Sequence, residues 1–180
     1  MNKKKDILKV ALKHFANKGY ENTSLEEIAK EINITKPAIY YHFKNKKELY
    51  NKIFVDSFKN LKLENSLKGY IYEMGKFFIQ NPNIAKLFSK ELSNEMENLE
   101  IETIQIVSNT LKTLINILKD TKINPFFIQT LIVSSFTTYS NTLKLRETIC
   151  KEIKDDKLIV EFDVIREVYE MVDLYIKATK

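Results

Sequence analysis

The stretch Thr23–Phe43, TSLEEIAKEINITKPAIYYHF, decides the fold. It opens on a helix start. Ser24 with Glu27 fits the S-x-x-E capping box, and Thr23 with Glu26 fits it equally well. Leu25, Ile28, Ala29 and Ile32 then recur at helical spacing and give a short buried face. Asn33 ends that helix, and Thr35 can cap the next. Pro37 falls in the first turn of this following helix, where the missing N–H costs nothing. Two short helices joined by about three residues make a helix-turn-helix. Asn33 stands in the turn where many such units carry Gly, and Asn tolerates positive φ.

On the second helix, expected from Lys36 to about Phe43, helical phase puts Ile39 and Phe43 on one docking face. Pro37 and Tyr41 point most directly away. Ala38 and Tyr40 flank that outer surface, His42 lies near its edge, and Thr35 and Lys36 sit at the tip. Small residues, hydroxyls and an imidazole suit a helix laid in a DNA major groove. Lys36, Lys44, Lys46 and Lys47 would neutralise phosphates. The competing reading is that Tyr40 and Tyr41 are packing aromatics.

Outward from this stretch, charge points the same way. Residues 1–52 carry 12 Lys against 6 acids, or +6, whereas the remainder carries 17 basic and 18 acidic residues, or −1. Both histidines also lie in the first third. The imbalance suggests a polyanion partner for that part.

Three Gly and three Pro among 180 residues leave few turns, so long helices are expected throughout. The fold class is all-α, about nine helices: a three-helix N-terminal domain (1–45) and a helical C-terminal domain (46–180). Helices are expected at 4–18, ended by Gly19, and from Asn45 to about 62. Further ones should cover 65–81, stopped by Pro82, then 83–96, 99–119 and 126–148. A last helix, 158–178, should be led by Asp155-Asp156. Cys150 is the one cysteine and reads as a helix-packing residue in a reducing compartment. No signal peptide is evident, and no apolar run approaches the ~20 residues of a membrane span. A cytoplasmic protein is expected.

The run FANKGYENTSLEEIAKEINITKPAIYYHFKNKKELY (15–50) resembles the N-terminal domain of TetR-family bacterial repressors. Phe15, Gly19, Tyr20, Thr23, Ser24, Ile28, Ala29, Lys36, Tyr40, Phe43, Lys46 and Leu49 carry the likeness over about residues 5–54. It departs at Asn33, where the turn glycine would stand, and at Pro37, which removes an N–H that could touch DNA. The resemblance implies a homodimer on a palindromic double-stranded operator. It also implies an unknown small-molecule effector, bound in the C-terminal domain, that lowers DNA affinity. By motif match, Thr23 and Ser24 would contact phosphate. Thr35, Lys36, Pro37, Ala38, Tyr40, Tyr41 and His42 would form the recognition surface, and Lys46 would hold a phosphate.

In the C-terminal part, the last helix is apolar almost all round. Phe162, Ile165, Tyr169, Val172 and Ile176 make one stripe; Val164, Val168, Met171 and Tyr175 make another. One stripe can face the protomer's own core and the other a second copy. With Ser134 and Thr138, the first stripe is the expected dimer interface. Tyr70, Met74, Phe77, Phe88, Met96, Phe127 and Tyr139 could wall a ligand cavity. No metal cluster, phosphate loop or nucleophile–base pair appears, so neither an enzyme nor a cofactor is expected. The alternative to a repressor is a helical small-molecule-binding or scaffold protein whose basic N-domain meets a protein or an anionic surface.

Overall fold

The computed structural model describes residues 3–154, 158 and 160–179. The expected helix start at Asp155-Asp156 lies outside the described residues. Ten helices and no strands occur among those described: α1 (Lys3–Lys18), α2 (Leu25–Glu31), α3 (Lys36–Tyr40), α4 (Lys46–Lys59), α5 (Leu67–Gln80), α6 (Pro82–Ser93), α7 (Ile101–Leu118), α8 (Pro125–Asn141), α9 (Leu143–Ile153) and α10 (Val164–Ala178).

Local chemistry sets most boundaries. Gly19 takes φ +83°, and its N–H donates to the Phe15 carbonyl at 2.8 Å, closing α1. The Asn45 side chain accepts from the Glu48 N–H at 2.8 Å, and Ser66 accepts from the Gly69 N–H at 3.1 Å. Pro82 separates α5 from α6 as its missing N–H requires. α6 ends at Ser93 rather than at Met96, because Glu95 and Met96 turn into the left-handed region, at φ 51° and 59°.

Ten helices replace about nine because the expected helix over 126–148 breaks at Thr142. The Thr142 hydroxyl donates to the Thr138 carbonyl at 2.7 Å. Arg146 Nη1 donates to Thr142 Oγ1 at 2.7 Å and to the Tyr139 carbonyl at 3.0 Å. That carbonyl is the one the Leu143 N–H would use in an unbroken helix, so the guanidinium replaces a rung of the ladder. The last helix starts at Val164 instead of 158, capped by Asp163, whose carboxylate accepts from the Arg166 N–H at 3.1 Å.

The chain divides into two units, each with its own packing. The first comprises residues 1–61 and 86–109, the second 62–85 and 110–180. In the first, α1 packs on α2 and α4, and α2 packs on α3. Ile7, Phe15, Ile28, Ile39, Leu49 and Phe54 are wholly buried there. Phe15 and Tyr20 meet Tyr50 edge-on, at ring-centroid distances of 4.8 and 4.9 Å. Asn51 is buried and fully used. Its amide donates to the carbonyls of Lys47 (2.9 Å) and Asn98 (3.1 Å), and its oxygen accepts from the Glu100 N–H (2.7 Å).

In the second unit α5, α8 and α10 pack against one another. Gly75 allows the close approach: a Cβ there would stand 2.6 Å from Ile165 and 2.9 Å from the Phe136 ring. The inward stripe of α10 is Val164, Val168, Val172 and Ile176. This corrects the expected interface at two positions. Val172 (0% exposed) and Ile176 (7%) serve the unit's own core, because the buried residues run at strict i, i+4 spacing from Val164. Ile165 and Tyr169 are half-buried, Phe162 is exposed against Tyr139, and Ser134 and Thr138 are exposed on α8. The outward side of α10 carries Met171, Leu174 and Tyr175.

Candidate nucleic-acid interface

α2, the turn 32–35 and α3 present the surface. Ser24 caps α2: its Oγ accepts from the Glu27 N–H at 3.2 Å. Thr23 does not share that task. It is buried, and its hydroxyl donates to the Gly19 carbonyl at 2.8 Å. The expected phosphate contact through the Thr23 side chain is therefore corrected: this side chain joins the end of α1 to the start of α2. Asn33 adopts φ 53°, the left-handed turn conformation expected of it.

α3 is shorter than expected, ending at Tyr40, but its pattern persists for three residues. The Tyr41 N–H donates to the Pro37 carbonyl (3.0 Å), and the His42 and Phe43 N–H groups both donate to Ile39 (2.9 and 3.0 Å). Ile39 (0% exposed) and Phe43 (2%) therefore share the docking face, while Tyr41 stands 86% exposed and Tyr40 46%. Thr35 and Pro37 are exposed; Lys36, Ala38 and His42 are half-buried. The His42 ring lies edge-on to Tyr41 at 5.1 Å. Thr35 through His42 thus make one continuous patch, with Ile39 beneath it.

The lysines are less free than the sequence suggested. Lys36 is ion-paired with Glu26, which raises the lysine pKa and lowers that of the glutamate. Lys46 Nζ donates to the Glu21 carbonyl at 3.2 Å and lies 4.5 Å above the centre of the Tyr20 ring. Both ammoniums stay at the edge of the patch in positions fixed by α2 and by the α1–α2 link. Sequence reasoning missed the part played by the start of α1. Lys4 Nζ lies 5.3 Å from the Phe43 ring, so α1 brings the basic run Lys3-Lys4-Lys5 beside the end of α3. The charge excess in residues 1–52 was the only signal of it.

Residues 7–53 match the family described as bacterial regulatory proteins, tetR family. The match covers about a quarter of the chain, and over it the chain is similar to the tetR family. The chain is 45% identical over 49 residues to the biofilm operon icaADBC HTH-type negative transcriptional regulator IcaR of Staphylococcus epidermidis, covering 27% of this chain and 26% of that protein. IcaR of Staphylococcus aureus (strain Newman) is 28% identical over 116 residues, 53% of this chain and 62% of the relative. The matches thus span about a quarter and about three fifths of these curated relatives. The crystal structure of a tetR-family regulatory protein from Rhodococcus RHA1 has the same fold, with TM-score 0.70 and 17% identity over 99% of this chain and 97% of that one.

The residues suggested for a ligand cavity belong to both units. Tyr70 and Met74 are buried in the second unit, and the Tyr70 hydroxyl bonds Gln129. Phe77 is half-buried, Phe127 lies against Tyr175 at 5.4 Å, and the Tyr139 hydroxyl donates to the Phe162 carbonyl at 3.1 Å. Phe88 and Met96 belong to the first unit. A cleft of about 650 Å³ opens in the second unit, lined among others by Ser134, Thr138, Tyr139, Arg146 and Met171. Among the described residues no group of three or more His, Cys, Asp or Glu side chains could hold a metal, and no helix is long and apolar enough to cross a membrane.

Proposed function

We propose that the chain is a dimeric transcriptional repressor that binds a palindromic operator and is released by a small molecule bound within residues 46–180. The observation that carries the DNA-binding part is the exposed patch Thr35–His42, anchored from beneath by Ile39 and Phe43. Small residues and two phenols can enter a major groove, and Ser24 sits at a helix start whose dipole favours phosphate. Lys46 and Lys36 flank the patch and reach the backbone, Lys36 by exchanging Glu26 for a phosphate. Thr23 acts through the backbone position it fixes.

The dimer reading rests on the outward side of α10. Met171, Leu174 and Tyr175 are exposed there, 39–69%, with Phe127 against Tyr175. With Phe162, Ser134 and Thr138, which line one cleft with Met171, they offer a partly apolar face that a second copy would cover. A twofold pair would place recognition helices about 34–36 Å apart, or a multiple of that. The effector part rests on the soft and aromatic residues Tyr70, Met74, Phe77, Phe127 and Tyr139 of the second unit; Phe88 and Met96 lie in the first.

Fluorescence anisotropy with DNA from upstream of the chain's own gene tests the reading. A specific, saturable complex is expected, with log affinity falling steeply against log salt. Binding that is salt-sensitive yet indifferent to sequence would replace this reading with that of a basic surface module. Addition of a metabolite panel should identify compounds that release the specific complex.

A further inference from the structure

The exposed patch on α3 has a narrow chemistry. Thr35–His42, TKPAIYYH, holds no Arg, Asn or Gln, the side chains that make paired hydrogen bonds to the edges of guanine or adenine. The first arginine of the chain is Arg146, so residues 1–52 owe their whole Lys/Arg charge to lysine. Lysine is a point charge suited to phosphate, and phosphate contacts position a protein without reading the base sequence. Lys36, the one lysine within the patch, is ion-paired with Glu26. Just past the patch, the Asn45 side-chain oxygen accepts from the Glu48 N–H at 2.8 Å and is taken.

What the patch offers is apolar surface. Tyr41 is 86% exposed and Tyr40 46%, Thr35 and Pro37 are exposed, and Ala38 is half-buried. Pro37 has no N–H to give, so its ring contributes shape and apolar contact alone. The phenol hydroxyls and the His42 ring can add single hydrogen bonds, but a single bond separates bases less well than a matched pair. In unmodified DNA the one apolar feature of the major groove is the C5 methyl group of thymine. We infer, resting on the DNA-binding role proposed above, that α3 reads thymine methyl groups, and that each operator half-site is A·T-rich with thymines beneath Pro37, Ala38, Tyr40 and Tyr41. Burying one methyl against such a patch favours binding roughly fourfold, so several across two half-sites build a strong preference.

The full chain first selects its sites from random-sequence duplexes at one fixed salt concentration, because phosphate contacts alone depend steeply on salt. Enriched half-sites should be A·T-rich. The selected site is then resynthesised in two forms. One carries uracil for each half-site thymine, which keeps the base pairing and removes only the C5 methyl. The other carries 7-deazapurines for each half-site guanine and adenine, which removes the N7 acceptor that paired hydrogen bonding needs. Fluorescence anisotropy should show the uracil duplex weakened roughly fourfold per contacted methyl, about tenfold or more in all. The deazapurine duplex should lose less. For Tyr41→Ala the uracil penalty should shrink, because part of the surface that meets the methyls is gone. The decisive comparison alters only the DNA, so protein folding does not enter it. G·C-rich half-sites, a uracil duplex bound as tightly as the thymine one, or an equal or larger loss with deazapurines would each overturn methyl reading while leaving a sequence-specific DNA-binding protein in place. Selection that enriches no site would overturn the DNA-binding role itself, and methyl reading with it.

Discussion

At the scale of single residues, the turn that continues α3 separates two roles within three positions. Tyr41 stands 86% exposed with the edge of His42 against it, whereas Phe43 is 2% exposed, with Lys4 of α1 over its ring. Tyr41→Ala should leave Tm nearly unchanged, within about 0.5 kcal/mol of stability, and weaken operator binding tenfold or more. Phe43→Ala should cost roughly 3–5 kcal/mol and unfold the domain, losing DNA binding by a different route. Thermal melts and anisotropy on the same two proteins separate the cases; a Tyr41→Ala protein that melts early would restore the packing reading. Helical phase made this division legible in advance. Thr23 was not legible, because S-x-x-E and T-x-x-E fit equally well. Only in the folded chain is it decided that Ser24 takes the cap while Thr23 bonds back to Gly19.

At the scale of elements, the α2–α3 turn depends on Asn33 holding φ 53°. Asn33→Gly should be neutral or slightly stabilising. Asn33→Val should destabilise by roughly 1–2 kcal/mol, because a β-branched side chain resists the left-handed region. Chemical denaturation of the pair checks this. α2 is also tied to its neighbours by ion pairs: Glu27 with Lys18, Glu31 with Lys13 and His14, and Glu26 with Lys36. Hydrogen bonds from these lysines hold all three carboxyls below their ordinary value of 4.5. A lowered folded pKa contributes stability above pH 4.5 that is lost as pH falls through the folded values. Tm should therefore decline below about pH 4.5, and by less in 0.5 M salt, since these exposed pairs are screened. The α8–α9 break was invisible in the sequence. Thr142 and Arg146 lie four apart in a run with good helical periodicity, and the break depends on where the guanidinium finds carbonyls.

At the scale of the whole molecule, the outward apolar side of α10 predicts association. Leu174→Glu, at a position 69% exposed, should shift sedimentation from dimer to monomer with little loss of folded-state Tm per chain; an unchanged dimer would move the interface elsewhere. Gly75→Val should instead lower stability, by roughly 1–3 kcal/mol, because its side chain would enter space held by Ile165 and Phe136. The sequence by itself determined the all-helical class, the helix-turn-helix with its Asn33 turn, and the split of α3 into a buried and an offered face. Those features rest on spacing, capping and φ preferences within a few residues, which the local chain fixes. Tertiary structure alone decided which stripe of α10 is core, where the helix after Pro125 breaks, that Lys36 and Lys46 are already engaged, and that Glu91 meets Tyr50 across 41 residues. These depend on which distant groups arrive at a given face, and no periodicity within one helix encodes its neighbour.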